Sequence, residues 1–247
     1  MDRMIFTALT GMNAALDRQR AVGSNLANAQ TVGFRAETFS MRPLTLKGPS
    51  LEVRAMTEGA VRGADMNAGR VVPTGRALDV AVRGDALIAI QAADGSEVYT
   101  RRGDLSVGVG GVLENGDGRP VLGETGPLTV PPGRTVSIAT DGTVLAADPA
   151  APEAPAENVG RIKLASPAGS AIVKDLEGFL RVPGGGVLPA DASAELETGA
   201  LEQSNVDTAA TMIEIIEAQR SFERRSKLFS TASELDQAGS RLMSLRS

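Results

Sequence analysis

Apolar residues recur with a helical period at the start of the chain. Between about residues 2 and 29 they follow one another mostly at spacings of three or four, without proline, and comprise Ile5, Leu9, Met12, Leu16, Val22 and Leu26. This spacing places them along one face of a helix. Asp2 is a candidate N-cap, and Thr31-Val32-Gly33 predicts that the helix ends near residue 30.

A second helical segment lies at the other end of the chain. It starts at Ser204-Asn205-Val206-Asp207, where S-x-x-D is a capping signal, and continues without proline to about Leu245. Two apolar rows lie side by side on it, rotated by about 100°. One row is Leu228, Leu235 and Leu242, the other is Ile215, Phe222 and Phe229, and Met212, Ile213 and Ile216 widen the apolar arc.

This broad arc has to be covered on more than one side, because a two-stranded coiled coil buries only a narrow seam. The first helix is too small to cover all of it, so other copies of the chain could cover the rest. Alternatively, both helices form an ordinary hairpin against the remainder of the chain, and Leu9, Met12 and Leu16 pack inside it. The pattern leaves both arrangements open.

Between the helical segments, from about Val71 to Val182, short β-branched runs alternate with turn dipeptides. Asp94-Gly95 separates two such runs and predicts a hairpin. Asn115-Gly116, Asp117-Gly118 and Asp141-Gly142 repeat the signal. The middle of the chain is therefore predicted to be an antiparallel β domain, a small sandwich or an open barrel.

These patterns predict an α+β protein whose helical domain is discontinuous in sequence. We expect residues 1–35 and 200–247 to form this domain, with the terminal helices paired as a coiled coil. Residues 36–74 are predicted to be an extended connector, residues 75–190 a β-rich domain, and residues 191–199 a return linker.

Composition narrows the chemistry that is open to the chain. The 247 residues include no cysteine and no histidine, which removes disulfides, thiolate nucleophiles and the usual zinc, haem and Ser-His-Asp sites. Aromatic residues make up 3% and the net charge is -5, which disfavours base stacking and phosphate binding. We therefore expect no cofactor, no metal and no nucleic-acid partner.

Neither membrane insertion nor a cleavable signal peptide is predicted. No stretch reaches the roughly 18 apolar residues of a membrane span, and the N-terminal segment lacks both a continuous apolar core and a cleavage site. The densest basic run alternates with acidic residues and is typical of a solvated helix face. It comprises Arg220, Arg224, Arg225 and Lys227, with Glu217 before them and Glu223 among them.

Two local patterns invite a catalytic interpretation. Gly108-Val109-Gly110-Gly111 has the glycines of a phosphate-binding loop, but no lysine or threonine follows at the required spacing, so a hairpin turn is predicted. Glu195 with Glu197, or Asp191 with Glu195, could form the carboxylate pair of a glycosidase. Acidic residues beside a glycine-rich loop are usually solvated, and we predict that the chain is not an enzyme.

Residues 24–35 read SNLANAQTVGFR, and residues 199–207 read GALEQSNVD, followed by IEAQRSFE at residues 216–223. These segments closely resemble the two terminal signatures of bacterial flagellar axial proteins, the rod and hook group. The segments TGRALDVA at residues 74–81, YTR at 99–101 and DG at 141–142 are similar to landmarks of that group's β domain. The resemblance extends across nearly the whole chain.

The resemblance implies a mechanical role. The terminal helices would form an inner domain packed with rod subunits and copies of the chain around a narrow channel, and the β domain an outer layer. Export would use the flagellar type III apparatus, and the protein would lie in the periplasmic rod of the basal body. The implied subunit interface comprises Ile5, Leu9, Met12, Leu16, Asn25, Leu26, Asn28, Phe34, Asn205, Val206, Ile213, Ile216, Phe222, Leu228, Leu235 and Leu242.

Within that group, the opening Met1-Asp2-Arg3, the compact length and a single β domain most resemble the proximal rod protein. A distal rod or hook-type subunit is the nearest alternative. Two interpretations of other classes stay open: a peptidoglycan hydrolase that uses Glu195, and a stand-alone secreted β module whose helices cap its core.

Overall fold

A computed structural model describes residues 2–46, 54–151, 153–175 and 177–244. Helix α1 (Asp2–Ala27) and helix α2 (Thr208–Ser244) lie at its two ends, with short strands between them, so the predicted α+β class is confirmed. The strands are β1 (Glu37–Leu46), β2 (Arg54–Ala64), β3 (Val71–Pro73), β4 (Val80–Val82), β5 (Leu87–Gln91), β6 (Glu97–Thr100), β7 (Ser106–Val107), β8 (Leu113–Glu114), β9 (Leu122–Gly123), β10 (Gly126–Pro127), β11 (Thr135–Ile138), β12 (Thr143–Ala147), β13 (Glu157–Arg161), β14 (Leu164–Ala165), β15 (Val173–Lys174), β16 (Leu180–Arg181), β17 (Leu196–Thr198) and β18 (Ala200–Glu202).

The chain divides into two compact units. The helical unit contains Met1–Ala27, Glu37–Arg62 and Asp207–Ser247, and the β unit contains Asn28–Ala36 and Gly63–Val206. The chain therefore leaves the helical unit after α1, returns for β1 and β2, and leaves again before its final return at α2.

In the helical unit, α1 contacts both α2 and β1, and β1 forms a two-stranded sheet with β2. This sheet lies within residues 36–74, the stretch that the sequence analysis assigned to an extended connector. Helix α2 begins with Asp207 as its N-cap, because Oδ1 of Asp207 accepts the N–H groups of Ala209 at 2.9 Å and Ala210 at 3.1 Å. Ser204, at the start of the predicted capping signal, instead accepts the N–H of Val206 at 3.2 Å in the preceding turn.

The largest sheet of the β unit, as far as the chain is described, has the order β14-β5-β6-β16-β15, and its neighbouring strands are antiparallel. Strands β5 and β6 form the hairpin predicted from Asp94-Gly95, in which Gly95 has φ +81°. This positive φ suits glycine, which has no Cβ to collide with the backbone. The antiparallel β body predicted from the turn dipeptides is thus present.

Both faces of the β5–β6 hairpin are buried. Ile88, Ile90 and Val98 face one apolar cluster, and Leu87 and Tyr99 face another. Because side chains alternate across a strand, a strand covered on both faces is a continuous apolar run, as Leu87–Gln91 nearly is.

The end of the β unit pairs with its beginning. Strand β17 is antiparallel to β4 and strand β18 is antiparallel to β3, with Gly199 at φ +72° in the turn between β17 and β18. Leu196 on β17 is fully buried in the core. The observed division thus differs from the predicted boundaries: residues 191–199 carry a core strand, and residues 200–206 lie in the β unit.

Candidate functional site

Small side chains form the contact between the two helices, which we call the seam. Every seventh residue of α2 lies on it, and these residues are Thr211, Ala218, Arg225 and Ala232. All but Arg225 are buried, as are Ala14, Ala15, Ala21 and Val22 on α1. Small residues allow two helix backbones to approach closely, because they leave little side chain between the axes.

The two helices run antiparallel along the seam. Gly11 of α1 lies against Arg225 of α2, since a Cβ at Gly11 would sit 2.5 Å from Nη1 of that arginine. Towards the other end, Val22 and Asn25 line a groove of about 450 Å³ together with Glu214. Position numbers thus rise on α1 as they fall on α2. The glycine makes room for an arginine at a position where other seam residues are small.

The large apolar side chains of α2 are less buried than Thr211, Ala218 and Ala232 of the seam. Ile215, Phe222 and Phe229, one of the two predicted apolar rows, each follow a seam residue by four positions and are partly buried. The other predicted row differs, because Leu228 and Leu235 are exposed. Exposure lies between 51% and 67% for Met212, Ile213, Ile216, Leu228 and Leu235.

The predicted apolar residues of α1 are less exposed. Leu9 is 37% exposed, and Met12, Leu16 and Leu26 are partly buried. The side chains of Ile5 and Leu242 lie outside the described residues. The structure therefore gives the predicted interface residues unequal environments, and the most exposed of them are on α2.

Asn25 and Asn28, from the first signature, act on different parts of the chain. The Asn25 side chain accepts the N–H of Glu37 at 2.7 Å and donates to the carbonyl of Glu37 at 3.1 Å, so it mimics a backbone pairing within the helical unit. Asn28 uses Oδ1 to accept the Thr31 hydroxyl at 3.1 Å, and its carbonyl accepts the N–H of Thr31. Asn25 thus holds the start of β1 against the end of α1, and Asn28 shapes the turn after α1.

Asn205, from the second signature, joins three parts of the β unit. Its side chain accepts the N–H of Ala36 at 2.7 Å and donates to the carbonyls of Asp65 and Asn67, both at 2.9 Å. We call residues 33–36 the incoming segment and residues 202–206 the outgoing segment. One amide therefore fixes both segments against residues 65–67.

Phe34 is held by a cation from the β sheet. Nζ of Lys174 lies 3.4 Å from the centre of the Phe34 ring and donates a hydrogen bond to the carbonyl of Arg35 at 2.9 Å. The backbone N–H of Asn205 donates to the carbonyl of Phe34 at 3.3 Å. Val206, the other predicted residue of the outgoing segment, is partly buried.

A buried charge cluster lies in the β unit, and sequence reasoning missed it. Oε1 of Glu202 is 2.8 Å from Nη2 of Arg35, and Oε2 is 3.1 Å from Nη1 of Arg101. All three side chains are almost completely buried. Burial lowers the pKa of both arginines, and the charge of Glu202 opposes that shift.

The backbone completes this arginine–glutamate cluster. Glu202 accepts the N–H of Gly69 on Oε1 at 2.7 Å, and its carbonyl accepts the N–H of Gly33 at 2.7 Å. Arg101 donates to the carbonyls of Val82, at 2.9 Å, and Gly84, and Arg35 donates to that of Asn67. Like Asn205, Glu202 thus ties the incoming and outgoing segments together.

Two signals in the sequence could have revealed this cluster. Glu202 follows Ala200 and Leu201 in a short apolar run, where an ionised side chain needs a partner if it is buried. Arg35 and Arg101 each end a segment that resembles the flagellar signatures. The sequence analysis assigned none of the three a role.

The acidic residues considered for catalysis are solvated. Glu195 and Glu197 share Arg83, at 3.5 Å and 3.7 Å, and their side chains are 62% and 47% exposed. A general acid for glycoside cleavage needs a carboxyl group shielded from water, and neither of these exposed side chains is shielded. Within the described chain, neither helix carries an apolar stretch long enough to cross a membrane.

Three protein families match successive parts of the chain. "Flagella basal body rod protein" matches residues 5–35, "Flagellar hook protein FlgE/F/G D1 domain" matches residues 81–146, and "Flagellar basal body rod FlgEFG protein C-terminal" matches residues 197–242. The first match contains Asn25 and Arg35, and the last match contains Glu202 and Asn205. Arg101 lies in the middle match.

Similarity to individual relatives extends over the full length. The flagellar basal-body rod proteins FlgF of Salmonella typhimurium and Escherichia coli are each 39% identical over 251 residues, covering 99% of this chain and all of each relative. The flagellar basal-body rod protein FlgG of Bacillus subtilis is 28% identical, over 95% of this chain and 97% of the relative. The chain belongs to the FlgF family of flagellar basal-body rod proteins.

Proposed function

We propose that this chain is a structural subunit of the proximal rod of the flagellar basal body. It polymerises with copies of itself and with other rod subunits into the hollow shaft that transmits motor torque to the hook. The observation that carries this proposal is the full-length similarity at 39% identity to relatives named flagellar basal-body rod protein FlgF. The exposed apolar residues of α2 add physical support, because such side chains gain free energy when a neighbour covers them.

The helices form the inner, polymerising domain in this proposal, and they pair as a coiled coil. The seven-residue repeat of the seam on α2 is the repeat that a two-helix coiled coil uses. Asn25 holds the chain within the helical unit, and Asn205 and the arginine–glutamate cluster hold it within the β unit. The β unit forms the outer layer. Its buried apolar core allows it to fold without contacts from the helices.

We further propose that the protein reaches the periplasmic rod through the flagellar type III export apparatus, without a cleavable signal peptide. It takes no cofactor, binds no nucleic acid and catalyses no reaction. The solvated state of Glu195 and Glu197 supports a non-catalytic role, since a wall hydrolase would need a shielded carboxyl pair.

A distal rod position is the second candidate, favoured by the 28% identity to FlgG of Bacillus subtilis over nearly the whole chain. The larger identity to the FlgF relatives favours the proximal position. Immunogold labelling of isolated basal bodies separates the two, because a proximal subunit is labelled near the motor end of the rod and a distal one near the hook.

The function itself is tested by deleting the chain in its native host. Full-length protein should restore swimming and complete basal bodies, whereas a chain without residues 208–244 should restore neither. A matched chain carrying Glu195→Gln and Glu197→Gln should restore both, as only a hydrolase needs these carboxylates. Full swimming without the chain, or its loss in the glutamine variant, would count against a structural role.

A further inference from the structure

The incoming and outgoing segments of the β unit lie side by side and run in the same direction. The N–H of Gly33 donates to the carbonyl of Glu202 at 2.7 Å. Further along both segments, the N–H of Asn205 donates to the carbonyl of Phe34 at 3.3 Å. The N–H of Ala36 then donates to the side chain of Asn205 at 2.7 Å. Residue numbers thus rise together on the two segments, as they do in a parallel pair of strands.

Strand β18, which leads into the outgoing segment, has the opposite relation to its partner β3. Ala200 pairs with Pro73 and Glu202 pairs with Val71, so these two strands are antiparallel. The chain therefore enters β3 and leaves β18 at the same end of the ribbon that they form.

These two relations respond differently to tension between the chain before residue 33 and the chain after residue 206. Antiparallel strands that are pulled at the same end separate stepwise, because their hydrogen bonds are loaded one after another. Parallel segments that are pulled at opposite ends are sheared, and their contacts have to break together. The start of the incoming segment and the end of the outgoing segment are opposite ends of the parallel pair. The pair is therefore the stronger of the two elements under such tension, and it is loaded first.

Side chains anchor both segments to the rest of the β unit. Lys174 of β15 donates to the carbonyl of Arg35 at 2.9 Å and lies over the ring of Phe34. The side chain of Asn205 donates to two carbonyls within residues 65–67, both at 2.9 Å. A force on either segment is thus passed on to the folded unit.

A buried ion pair also links the two segments to each other. Nη2 of Arg35 lies 2.8 Å from Oε1 of Glu202, and both side chains are only 2% exposed. Water is absent from such a site, so it cannot replace the partner while the contact is being stretched. Buried polar contacts of this kind resist separation more than the same contacts would on the surface.

We propose that the incoming and outgoing segments form a force-bearing clamp, which keeps the β unit folded when tension acts between the two ends of the chain that leave it. The proposal deepens the proposed function and rests on it, because a subunit of a torque-transmitting shaft has to stay folded under load. Asn205, Glu202, Arg35 and Lys174 are the side chains that carry the load.

The chain has no cysteine, so two introduced cysteines define where tension is applied. In the full-length protein, Gln30→Cys with Thr208→Cys loads the clamp, since these exposed positions flank the two segments. Ala93→Cys with Ala150→Cys is the matched geometry, because the stretch between these exposed positions contains neither segment. Optical tweezers hold the protein at constant force through DNA handles and record the rate of unfolding. Complete unfolding extends the chain by about 600 Å in the first geometry and by about 200 Å in the second.

Asn205→Ala removes the three side-chain hydrogen bonds of the clamp at a position that is only partly buried. Its unfolding rate at constant force should rise by about tenfold or more when the handles load the clamp. The rate should change by less than about twofold in the matched geometry, where the clamp lies outside the loaded stretch.

Lys174→Met is a second variant, which keeps the length of the side chain and removes its charge. Because it loses one of the anchors of the incoming segment, its unfolding rate should rise by about threefold or more in the clamp geometry alone. Asn158→Ala, at an exposed position of β13, is the control and should stay within about twofold of the parent chain in both geometries. The helices have the same sequence in all variants of one geometry, so their contribution cancels in the comparison.

Equal acceleration by Asn205→Ala in both geometries would overturn the proposal, because the two segments would then stabilise the β unit without being the element that bears the load. Unchanged rates in the clamp geometry for both Asn205→Ala and Lys174→Met would also overturn it. Neither result affects the rod function, which swimming of the native host with and without the chain reports separately. Swimming that does not need the chain would overturn the rod function even where the clamp resists force in the tweezers.

Discussion

The β unit and the helical unit place their large apolar residues in opposite ways. In the β unit, Leu87, Ile88, Ile90, Leu105 and Leu113 are completely buried. In the helical unit the residues with complete or near-complete burial are mainly alanines, while Ile213, Leu228 and Leu235 are more than half exposed. Alanine buries far less apolar area than leucine, so the seam supplies less of the hydrophobic free energy than the β core does. We therefore expect the β unit to fold by itself. The helical unit has more apolar area left to bury, so contact with neighbouring molecules would stabilise it more.

The two units also treat charge differently. Glu202 and its two arginines are hidden in the β unit, whereas the Arg20–Asp17 pair of α1, at 3.2 Å, is solvated. A buried ion pair contributes little net stability, but the loss of one partner leaves an uncompensated charge in a medium of low dielectric constant. A solvated pair is worth between about 0 and 1 kcal/mol.

The largest effect is therefore expected from Glu202→Gln. The variant keeps the shape of the side chain but leaves Arg35 and Arg101 as two buried charges without a counterion. We expect the free energy of unfolding to fall by about 3 to 5 kcal/mol. Urea denaturation of the full chain, monitored by the near-ultraviolet circular dichroism of the β unit, measures this decrease in the free energy of unfolding.

Glu197→Gln is the matched control, because Glu197 lies on the neighbouring strand β17 and faces an exposed arginine at 3.7 Å. Its stability should stay within about 0.5 kcal/mol of the parent chain. Equal losses in the two variants would mean that the arginine–glutamate cluster is as solvated as a surface pair.

A pair of leucine truncations tests the placement of apolar residues directly. Leu196→Ala removes a fully buried side chain from the β core and should cost about 2 to 5 kcal/mol of stability. Leu228→Ala removes one that is 67% exposed, and the dilute monomer should lose less than about 0.5 kcal/mol. Denaturant titrations of dilute protein give both values.

The same two variants should reverse their order in an assembly assay. Leu228→Ala should raise the concentration needed for sedimentable polymer, while surviving Leu196→Ala monomers should polymerise at the parent concentration. A monomer destabilised equally by both changes would show that Leu228 is part of a core, as in the hairpin arrangement that the sequence left open.

Enlarging the seam should have a smaller effect. Ala218→Leu inserts a large side chain at a position of the seam that is almost completely buried, and overpacking of this kind costs about 1 to 3 kcal/mol. We expect a loss of helical circular dichroism at lower temperature. Ala210→Leu, at an exposed position of the same helix, should change the helix melting by less than about 0.5 kcal/mol.

Features that depend on neighbouring residues were predictable from the sequence. The helices follow from the spacing of apolar residues, and the β5–β6 hairpin follows from Asp94-Gly95, because each pattern fixes the local backbone. The division of α2 into a buried seam and exposed apolar rows was harder to predict from the sequence. The large residues carry the amphipathic signal, but the seam is made chiefly of Thr211, Ala218 and Ala232, which a hydrophobic pattern weights weakly.

Contacts between distant residues could not be predicted. Glu202 is 101 residues from Arg101 in sequence, and only the pairing of β18 with β3 brings it to the start of the β unit. The same pairing explains why the β unit ends later in the chain than the sequence predicted. A short strand at the end of the unit cannot be distinguished from a linker by sequence unless its partner strand is known. Local propensity carries no information about such partners.

The smallest effect, but the one most specific to the β unit, is the titration of Tyr99. It is the only tyrosine of a chain without tryptophan, and it is fully buried, with its hydroxyl donating to Glu97 at 2.7 Å and accepting the N–H of Leu188 at 2.6 Å. Burial raises the pKa of this phenol above its ordinary value near 10. The neutral form is thus favoured by the fold, so its contribution to stability is complete below about pH 10 and is lost as the pH rises beyond that value.

We expect the ultraviolet absorbance of tyrosinate to stay absent in native protein past pH 10 and then to appear together with unfolding of the β unit. In urea it should appear near pH 10. Helical circular dichroism can be lost earlier, because the helical unit contains no tyrosine and its loss leaves the absorbance unchanged. Tyr99→Phe should remove the signal altogether. A titration of native protein centred near pH 10 would mean that the Tyr99 hydroxyl is solvated. The core of the β unit would then be less well shielded from water than the comparison with the helical unit requires.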